Sequence, residues 1–63
     1  MRIDKIKVEN EIARQALTFK ELADIAGITE KTLKAARDGK EIRTATAGRI
    51  AAALGVNVED LFY

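Results

Sequence analysis

The stretch G-I-T-E-K-T-L-K, residues 27–34, decides the fold, because its pattern is typical of a tight turn followed by the start of a helix. Gly27 can end the preceding helix in a left-handed conformation without a Cβ clash. Thr29 can then cap the N-terminus of the next helix with its side-chain oxygen. The stretch therefore predicts two helices joined by a short turn, a helix-turn-helix.

The residues before the turn have the spacing of an amphipathic helix. Apolar side chains stand at positions 19, 22, 25 and 26, which form one stripe at the 3.6-residue period. Thr18 is placed to cap this helix. Ala23 lies beside the stripe, and its small side chain allows the following helix to cross close by. After the turn, Leu33 and Ala36 share one face of the next helix, so we expect that face to be buried.

Upstream of the motif, residues 1–3 are expected to form an extended or frayed end. Asp4 can cap a first helix that runs to about residue 16. The inner face of that helix is predicted to consist of Val8, Ile12, Ala13 and Ala16.

Downstream of the motif, Gly39 is a stop signal, and residues 41–45 are predicted to form a loop. Thr44 or Thr46 would cap a fourth helix that ends at Gly55. Its mid-helix Gly48 costs roughly 1 kcal/mol relative to alanine, which suggests a close helix approach. The apolar face of this helix is predicted to be Ala47, Ile50, Ala51 and Leu54.

The last residues form a short fifth helix in this interpretation, capped by Asn57. Leu61 and Phe62 are hard to bury together in so small a chain, so the segment 56–63 is expected to contribute a subunit contact. The residues assigned to that contact are Val58, Leu61 and Phe62.

Length and composition limit the functional classes. The chain has 63 residues, a formal net charge of +1, and neither cysteine nor histidine. A single domain of this size, residues 1–63, buries only about 60% of its unfolded surface, so self-association is an expected supplement. Disulfides and the usual zinc sites are excluded, and we expect no metal or cofactor. No apolar run is long enough for a membrane span, and we expect a soluble, cytoplasmic protein.

Taken together, these signs resemble the Cro and lambda-repressor type of helix-turn-helix proteins over nearly the full length. The matching residues are Leu22-Ala23, Gly27, Leu33, Gly39-Lys40 and the run from Ile50 to Val56. The resemblance implies an all-α, compact five-helix domain with the helix-turn-helix at helices two and three. It also implies that the third helix enters the major groove of DNA while the second crosses the phosphate backbone.

The chain departs from the family pattern at two places. Many members begin the second helix with a glutamine that contacts phosphate, and this chain has Phe19 there. Members commonly pair an arginine in helix one with a glutamate near the end of helix three, and those positions hold Ile12 and Arg37. We expect Ile12 to pack on the Arg37 stem while Glu9 or Glu11 takes the guanidinium.

A candidate DNA surface follows from the face of the third helix opposite Leu33. Lysine on this face would prefer guanine O6 or N7, glutamate can accept from cytosine N4, and a methyl group can meet a thymine methyl. The predicted base readers are Glu30, Lys31, Thr32, Lys34 and Ala35. The predicted phosphate contacts are Thr18, Lys20, Thr29, Lys40 and Arg43.

The function expected from these residues is that of a sequence-specific regulator that binds double-stranded DNA. The resemblance further implies a Cro-like phage or mobile-element repressor that binds a two-fold symmetric operator as a homodimer. The alternative is a helix-turn-helix fold used as a protein-interaction module, an antagonist or adaptor that does not itself read DNA. Acidic coverage of the third helix by Glu30, Asp38 and Glu41 would favour that alternative. We expect no enzyme, because no catalytic constellation is recognisable in the sequence.

Overall fold

The fold is all-helical in the computed structural model, which describes residues 1–62. Within that range there are four α-helices and one short 3-10 helix, and no strand. The bounds are α1 Lys5–Arg14, α2 Phe19–Ala26, α3 Glu30–Arg37, α4 Thr44–Leu54 and the 3-10 helix Val58–Leu61. The all-α prediction is confirmed. The count of five helices is not, since the last segment forms only a single 3-10 helix.

One apolar core lies between these helices. α2 packs against both α3 and α4, and α1 packs against α3 and the 3-10 helix. Every α-helix and the 3-10 helix contribute to a cluster of buried side chains, and fully burying one leucine or isoleucine stabilises a fold by roughly 1.5–3 kcal/mol. The cluster consists of Ile3, Val8, Leu22, Ala23, Leu33, Ala36, Ile50, Ala51, Leu54 and Leu61. The alanines in it allow close helix approach, as predicted for Ala23, which is 1% exposed.

Both helices of the motif begin as predicted from local signals, and α2 also ends as predicted, whereas the C-cap of α3 is Asp38 rather than Gly39. Thr18 accepts a hydrogen bond from the backbone N–H of Glu21, and Thr29 accepts one from the N–H of Thr32. Gly27 ends α2 in the left-handed conformation, at φ 72°. Thr18 therefore fixes the start of α2, whereas the turn itself is held by Gly27 and by the Thr29 cap.

The first helix is shorter than predicted. It ends at Arg14, and Ala16 adopts a left-handed φ of 54° that lets the chain turn towards α2. Ala13 and Ala16 are exposed, so their assignment to the inner face was wrong, whereas Val8 is fully buried. Helical spacing predicted too many buried residues here, because the helix ends at Arg14 and Ala16 is no longer part of it. In α2, Ile25 belongs to the predicted apolar stripe but is 59% exposed, so it lies outside the buried face of the helix.

The fourth helix is longer than predicted. It begins at Thr44 with Arg43 in the N-cap position, and no side chain caps it. Neither Thr44 nor Thr46 is the cap, so both predictions were wrong. Gly48 has no atom within 4 Å of the position a Cβ would occupy, which rules out the suggested close helix approach.

The N-terminal residues are extended but not frayed. Ile3 is 1% exposed and forms an antiparallel bridge with Phe62. The N–H of Asp4 donates to the Leu61 carbonyl at 2.7 Å, and the N–H of Ile42 donates to the Met1 carbonyl at 2.9 Å. Residues 1–4 thus tie the loop after α3 to the 3-10 helix, and we call this arrangement the terminal clasp.

Candidate nucleic-acid interface

The outer face of α3 carries the predicted base readers on a rigid support. Leu33 and Ala36 are both fully buried, which fixes the rotation of the helix about its axis. The predicted readers divide into two groups: Glu30, Lys31 and Lys34 are exposed, whereas Thr32 and Ala35 are partly buried. The three charged side chains therefore project from the helix, while the two smaller ones lie closer to its packed side.

The two threonines at the start of α3 are hydrogen-bonded to each other. The Thr29 hydroxyl accepts the Thr32 backbone N–H at 3.1 Å and donates to the Thr32 hydroxyl oxygen at 2.9 Å. The hydroxyl proton of Thr29 is thereby used within the chain, and that of Thr32 remains free to donate to an external acceptor. This geometry suits Thr32 as a reader better than it suits Thr29 as a phosphate donor.

An open groove of about 590 Å³ runs between α3, the loop after it and the start of α4. It brings three predicted readers together with the predicted anchor Arg43. The lining residues are Lys31, Thr32, Ala35, Glu41, Ile42, Arg43 and Thr46. Glu41, Ile42 and Thr46 were not predicted to belong to the DNA surface, because their place in the groove depends on how the loop folds back along α3.

Glu41 brings a negative charge to this groove, but the charge is compensated. Its carboxylate is 2.6 Å from the Met1 amino group and 3.4 Å from Arg2 Nε. The hydrogen bond from the Met1 amino group, followed by its charge and that of Arg2, lowers the pKa of Glu41. Asp38, the next acidic residue towards α3, lies 3.5 Å from Arg37 Nε.

The basic side chains of the surface are less engaged than the acidic ones. Lys31, Lys34, Lys40 and Arg43 are all exposed, and no ion pair involves any of them in the described part of the chain. Of the three acidic residues that would cover α3 in a protein-interaction module, only Glu30 forms no ion pair in the described part of the chain. The uncompensated charge on this face is therefore predominantly positive, as a DNA surface requires.

At the start of α2, a capping box uses part of the predicted phosphate site. The Thr18 N–H donates to Glu21 Oε1 at 2.9 Å, and the Glu21 N–H donates to Thr18 Oγ1 at 3.0 Å. Hydrogen bonding of the Glu21 carboxylate to the backbone N–H of Thr18, and next to the Thr18 side chain, lowers the pKa of Glu21. Thr18 and Lys20 are exposed, and the helix start keeps the N–H groups of Phe19 and Lys20 for an external acceptor. The spacing Thr-x-x-Glu would have revealed Glu21 from the sequence.

The partner expected for Arg37 was wrong. Glu11 forms its ion pair with Arg14 instead, with 2.6 Å between Glu11 Oε1 and Arg14 Nη2. The Arg37 guanidinium lies over the ring of Phe19, with its carbon 5.0 Å from the ring centroid. Its Nε atom lies 3.5 Å from Asp38 Oδ1, but the geometry is not that of a hydrogen bond. The two departures from the family pattern at positions 19 and 37 are thus in contact with each other.

The fold buries one of the three residues predicted for the subunit contact and leaves the other two partly exposed. Leu61 is fully buried within its own chain and has no surface to offer a second copy. Val58 and Phe62 are partly buried and keep some exposure. Tyr63, the last residue of the segment 56–63, lies outside the described residues.

Other site classes receive no support from the described residues. Among residues 1–62 there is no group of histidine, cysteine, aspartate or glutamate side chains that could hold a metal ion. Nor is any helix in this range long and apolar enough to cross a membrane.

Comparison with known proteins places this surface in a family context. Residues 7–63 match the family model described as the Cro/C1-type HTH (helix-turn-helix) DNA-binding domain. The match includes both helices of the motif, the loop after α3 and all of α4. No curated protein matches the chain.

Proposed function

The chain belongs to the Cro/C1-type helix-turn-helix DNA-binding family, and from this premise we propose that it is a cytoplasmic, sequence-specific transcriptional repressor of phage or mobile-element type. It binds double-stranded DNA through α3, whose N-terminal half enters the major groove. Repression follows from occupation of promoter DNA.

The observation that carries this proposal is the arrangement of charge on α3 and the following loop. Lys31 and Lys34 are exposed and unpaired in the described range, on a helix locked by the buried Leu33. Lys31 lines the groove together with Arg43. Lysines on a rigid helix can donate to base edges, and a cation beside the groove can bind the flanking phosphates.

The two kinds of contact have different roles in the proposal. Lys31, Lys34 and Thr32 read bases, with Glu30 and Ala35 at the edges of the same surface. Phosphates are held by the exposed side chains that flank α3 and by the start of α2; these are Thr18, Lys20, Thr29, Lys40 and Arg43. Thr29 contributes through its position at the N-terminus of α3, because its hydroxyl proton is already used by Thr32.

The test is a selection of binding sites from random duplex DNA, performed with the native chain and with the Lys31→Ala and Lys34→Ala variants. We expect one enriched sequence for the native chain and a relaxed preference at different base positions in each variant. Lys5→Ala is the matched control, because Lys5 is an exposed lysine on α1. Unchanged preferences in both variants would remove these lysines as base readers, and no enrichment by the native chain would favour the protein-interaction module.

A homodimer is the second part of the proposal. Val58 and Phe62 keep exposed surface beside the terminal clasp, and a two-fold axis there would present two copies of α3 to one face of DNA. Half-sites would then lie about 34 Å apart, one turn of the duplex. Analytical ultracentrifugation on a selected site measures the stoichiometry, and one chain per site at saturation would contradict the dimer.

A further inference from the structure

Arg37, at the C-terminal end of α3, does not have hydrogen-bond partners for all of its donor groups within the chain. Its side chain keeps 27% of its exposure, and its Nε atom is buried without a hydrogen-bond partner. The nearest carboxylate oxygen, that of Asp38, stands 3.5 Å away. A buried donor without an acceptor is unfavourable, and so is a guanidinium with only a weak counter-charge. Its polar neighbours within the chain therefore leave the Nε–H group of Arg37 without an acceptor.

Phe19 explains how this guanidinium is held. The guanidinium carbon lies 5.0 Å from the centroid of the Phe19 ring, within the range of a cation–π contact. This contact restricts the motion of the Arg37 side chain, so less side-chain freedom is lost when a further ligand binds. Phe19 itself has no polar side-chain group with which to bind DNA.

The pair formed by Arg37 and Phe19 lies at a position that bears on DNA binding. Phe19 is the first residue of α2 and follows the N-cap Thr18. In a helix-turn-helix, the first helix of the motif crosses the DNA backbone. Arg37 also stands one turn after Lys34 on α3, so its charge continues the basic row of that helix towards the start of α2. The guanidinium is thus held beside the start of α2, the part of the motif that would face the DNA backbone in a complex.

We propose that Arg37, held on the ring of Phe19, is a DNA-phosphate ligand of this chain. This inference rests on the proposed DNA-binding function and adds a contact from the end of α3. A phosphodiester oxygen replaces the distant Asp38 carboxylate as the acceptor of the guanidinium, through charge-assisted hydrogen bonds that favour arginine's planar fork.

The test compares the salt dependence of duplex binding for the native chain and for Arg37→Met. Methionine keeps an apolar stem against Phe19 and removes the charge. We expect affinity to fall roughly tenfold, as for the loss of one hydrogen bond to a charged group. The slope of log affinity against log salt should become shallower by about 0.9, the contribution of one neutralised phosphate. Lys5→Met is the control, because it changes the net charge equally at an exposed position on α1, and its slope should equal that of the native chain.

The outcomes separate this inference from the proposed function. A flat salt profile for the native chain overturns both. If the affinity of the native chain falls steeply with salt and Arg37→Met has the same slope, only the role of Arg37 is overturned. If Arg37→Met also has a lower melting temperature with that same slope, Arg37 has a structural role alone. If Arg37→Met does not fold, NMR of the native chain decides. Movement of the Arg37 Nε–Hε resonance on addition of duplex, with Arg14 as reference, supports the contact, and a stationary Arg37 resonance overturns it.

Discussion

Backbone conformation at single residues decides where glycine and alanine are best placed in this chain. Ala16 has a left-handed φ of 54°, a conformation in which the Cβ atom is unfavourable. Gly48 lies in the middle of α4 with open space around the position of a Cβ. The residue types at these two positions are therefore the reverse of what the local conformation favours.

Exchanging them should stabilise the fold. We expect Gly48→Ala to raise the free energy of unfolding by about 0.5–1 kcal/mol, because alanine loses less backbone entropy in a helix. Ala16→Gly should raise it by about 1 kcal/mol by relieving the left-handed strain. Urea denaturation of each variant measures both effects. Gly27→Ala is the opposing control, since φ is 72° there and a loss is expected; a gain in Gly27→Ala would contradict the argument.

At the scale of elements, the start of α2 depends on a reciprocal pair of hydrogen bonds between Thr18 and Glu21. These bonds satisfy two backbone N–H groups, those of Thr18 and Glu21, which would otherwise bond to water at the start of the helix. The same element carries Phe19 and borders the proposed phosphate surface. Stability of the cap and presentation of Arg37 are therefore linked through one helix turn.

Removing the cap should weaken α2. Thr18→Ala is expected to lower the free energy of unfolding by about 1 kcal/mol, because the Glu21 N–H loses its acceptor. Urea denaturation monitored by circular dichroism checks this. Thr44→Ala is the matched control, because Thr44 is exposed at the start of α4 but is not its N-cap. Equal losses in the two variants would contradict a specific role for the capping box.

The same cap predicts a pH effect. The pKa of Glu21 is lowered in the folded chain, so its contribution to stability is present above its usual value of 4.5 and is lost as the pH falls through the folded pKa. Glu21→Gln keeps an oxygen acceptor for the Thr18 N–H but cannot titrate. We expect the free energy of unfolding to fall less below pH 4.5 in this variant than in the native chain. Identical pH profiles would show that Glu21 contributes nothing to acid sensitivity.

On the scale of the whole molecule, the terminal clasp joins three distant segments. Ile3 is buried in the core, and the Met1 carbonyl accepts a hydrogen bond from the Ile42 N–H beside the groove. The Lys7 ammonium donates to the Phe62 carbonyl at 2.8 Å. The clasp therefore supports the loop after α3 on one side and the 3-10 helix on the other. Its packing should contribute to global stability although it contains no regular element.

A conservative substitution measures that contribution. Ile3→Val removes one buried methylene and should lower the free energy of unfolding by about 0.5–1.5 kcal/mol. Ile6→Val makes the same chemical change at a side chain that is 67% exposed, and its effect should stay within about 0.5 kcal/mol. Denaturant titration compares the two. An equal effect at both positions would contradict the burial of Ile3.

The groove supports a prediction for binding by the whole molecule. Glu41 lines the groove and compensates the charges of the Met1 amino group and Arg2, so Glu41→Gln should raise DNA affinity by leaving those two positive charges free to attract phosphates. The size of the gain should decline as salt is raised. Fluorescence anisotropy with a labelled duplex measures it. Unchanged affinity at low salt would place Glu41 outside the field of the bound DNA.

Sequence reasoning succeeded where the signal is local. Thr18, Gly27 and Thr29 mark the ends of the motif helices because caps and left-handed turns depend on a few neighbouring residues. It failed at Ile3 and Arg37, because their partners Phe62 and Phe19 are distant in sequence. For the candidate site, the exposure of Lys31 and Lys34 followed from helical spacing, whereas the groove depends on a loop conformation that no periodic pattern encodes.

The terminal clasp also has a consequence for the order of folding. The bridge from Ile3 to Phe62 joins opposite ends of the described chain, whereas α2, the turn at Gly27 and α3 are close neighbours in sequence. Closing the longer loop costs more chain entropy, so the motif should form in the transition state before the ends meet. Ile3→Val should then accelerate unfolding and leave the folding rate nearly unchanged, so the DNA-reading unit would be assembled before the clasp closes around it.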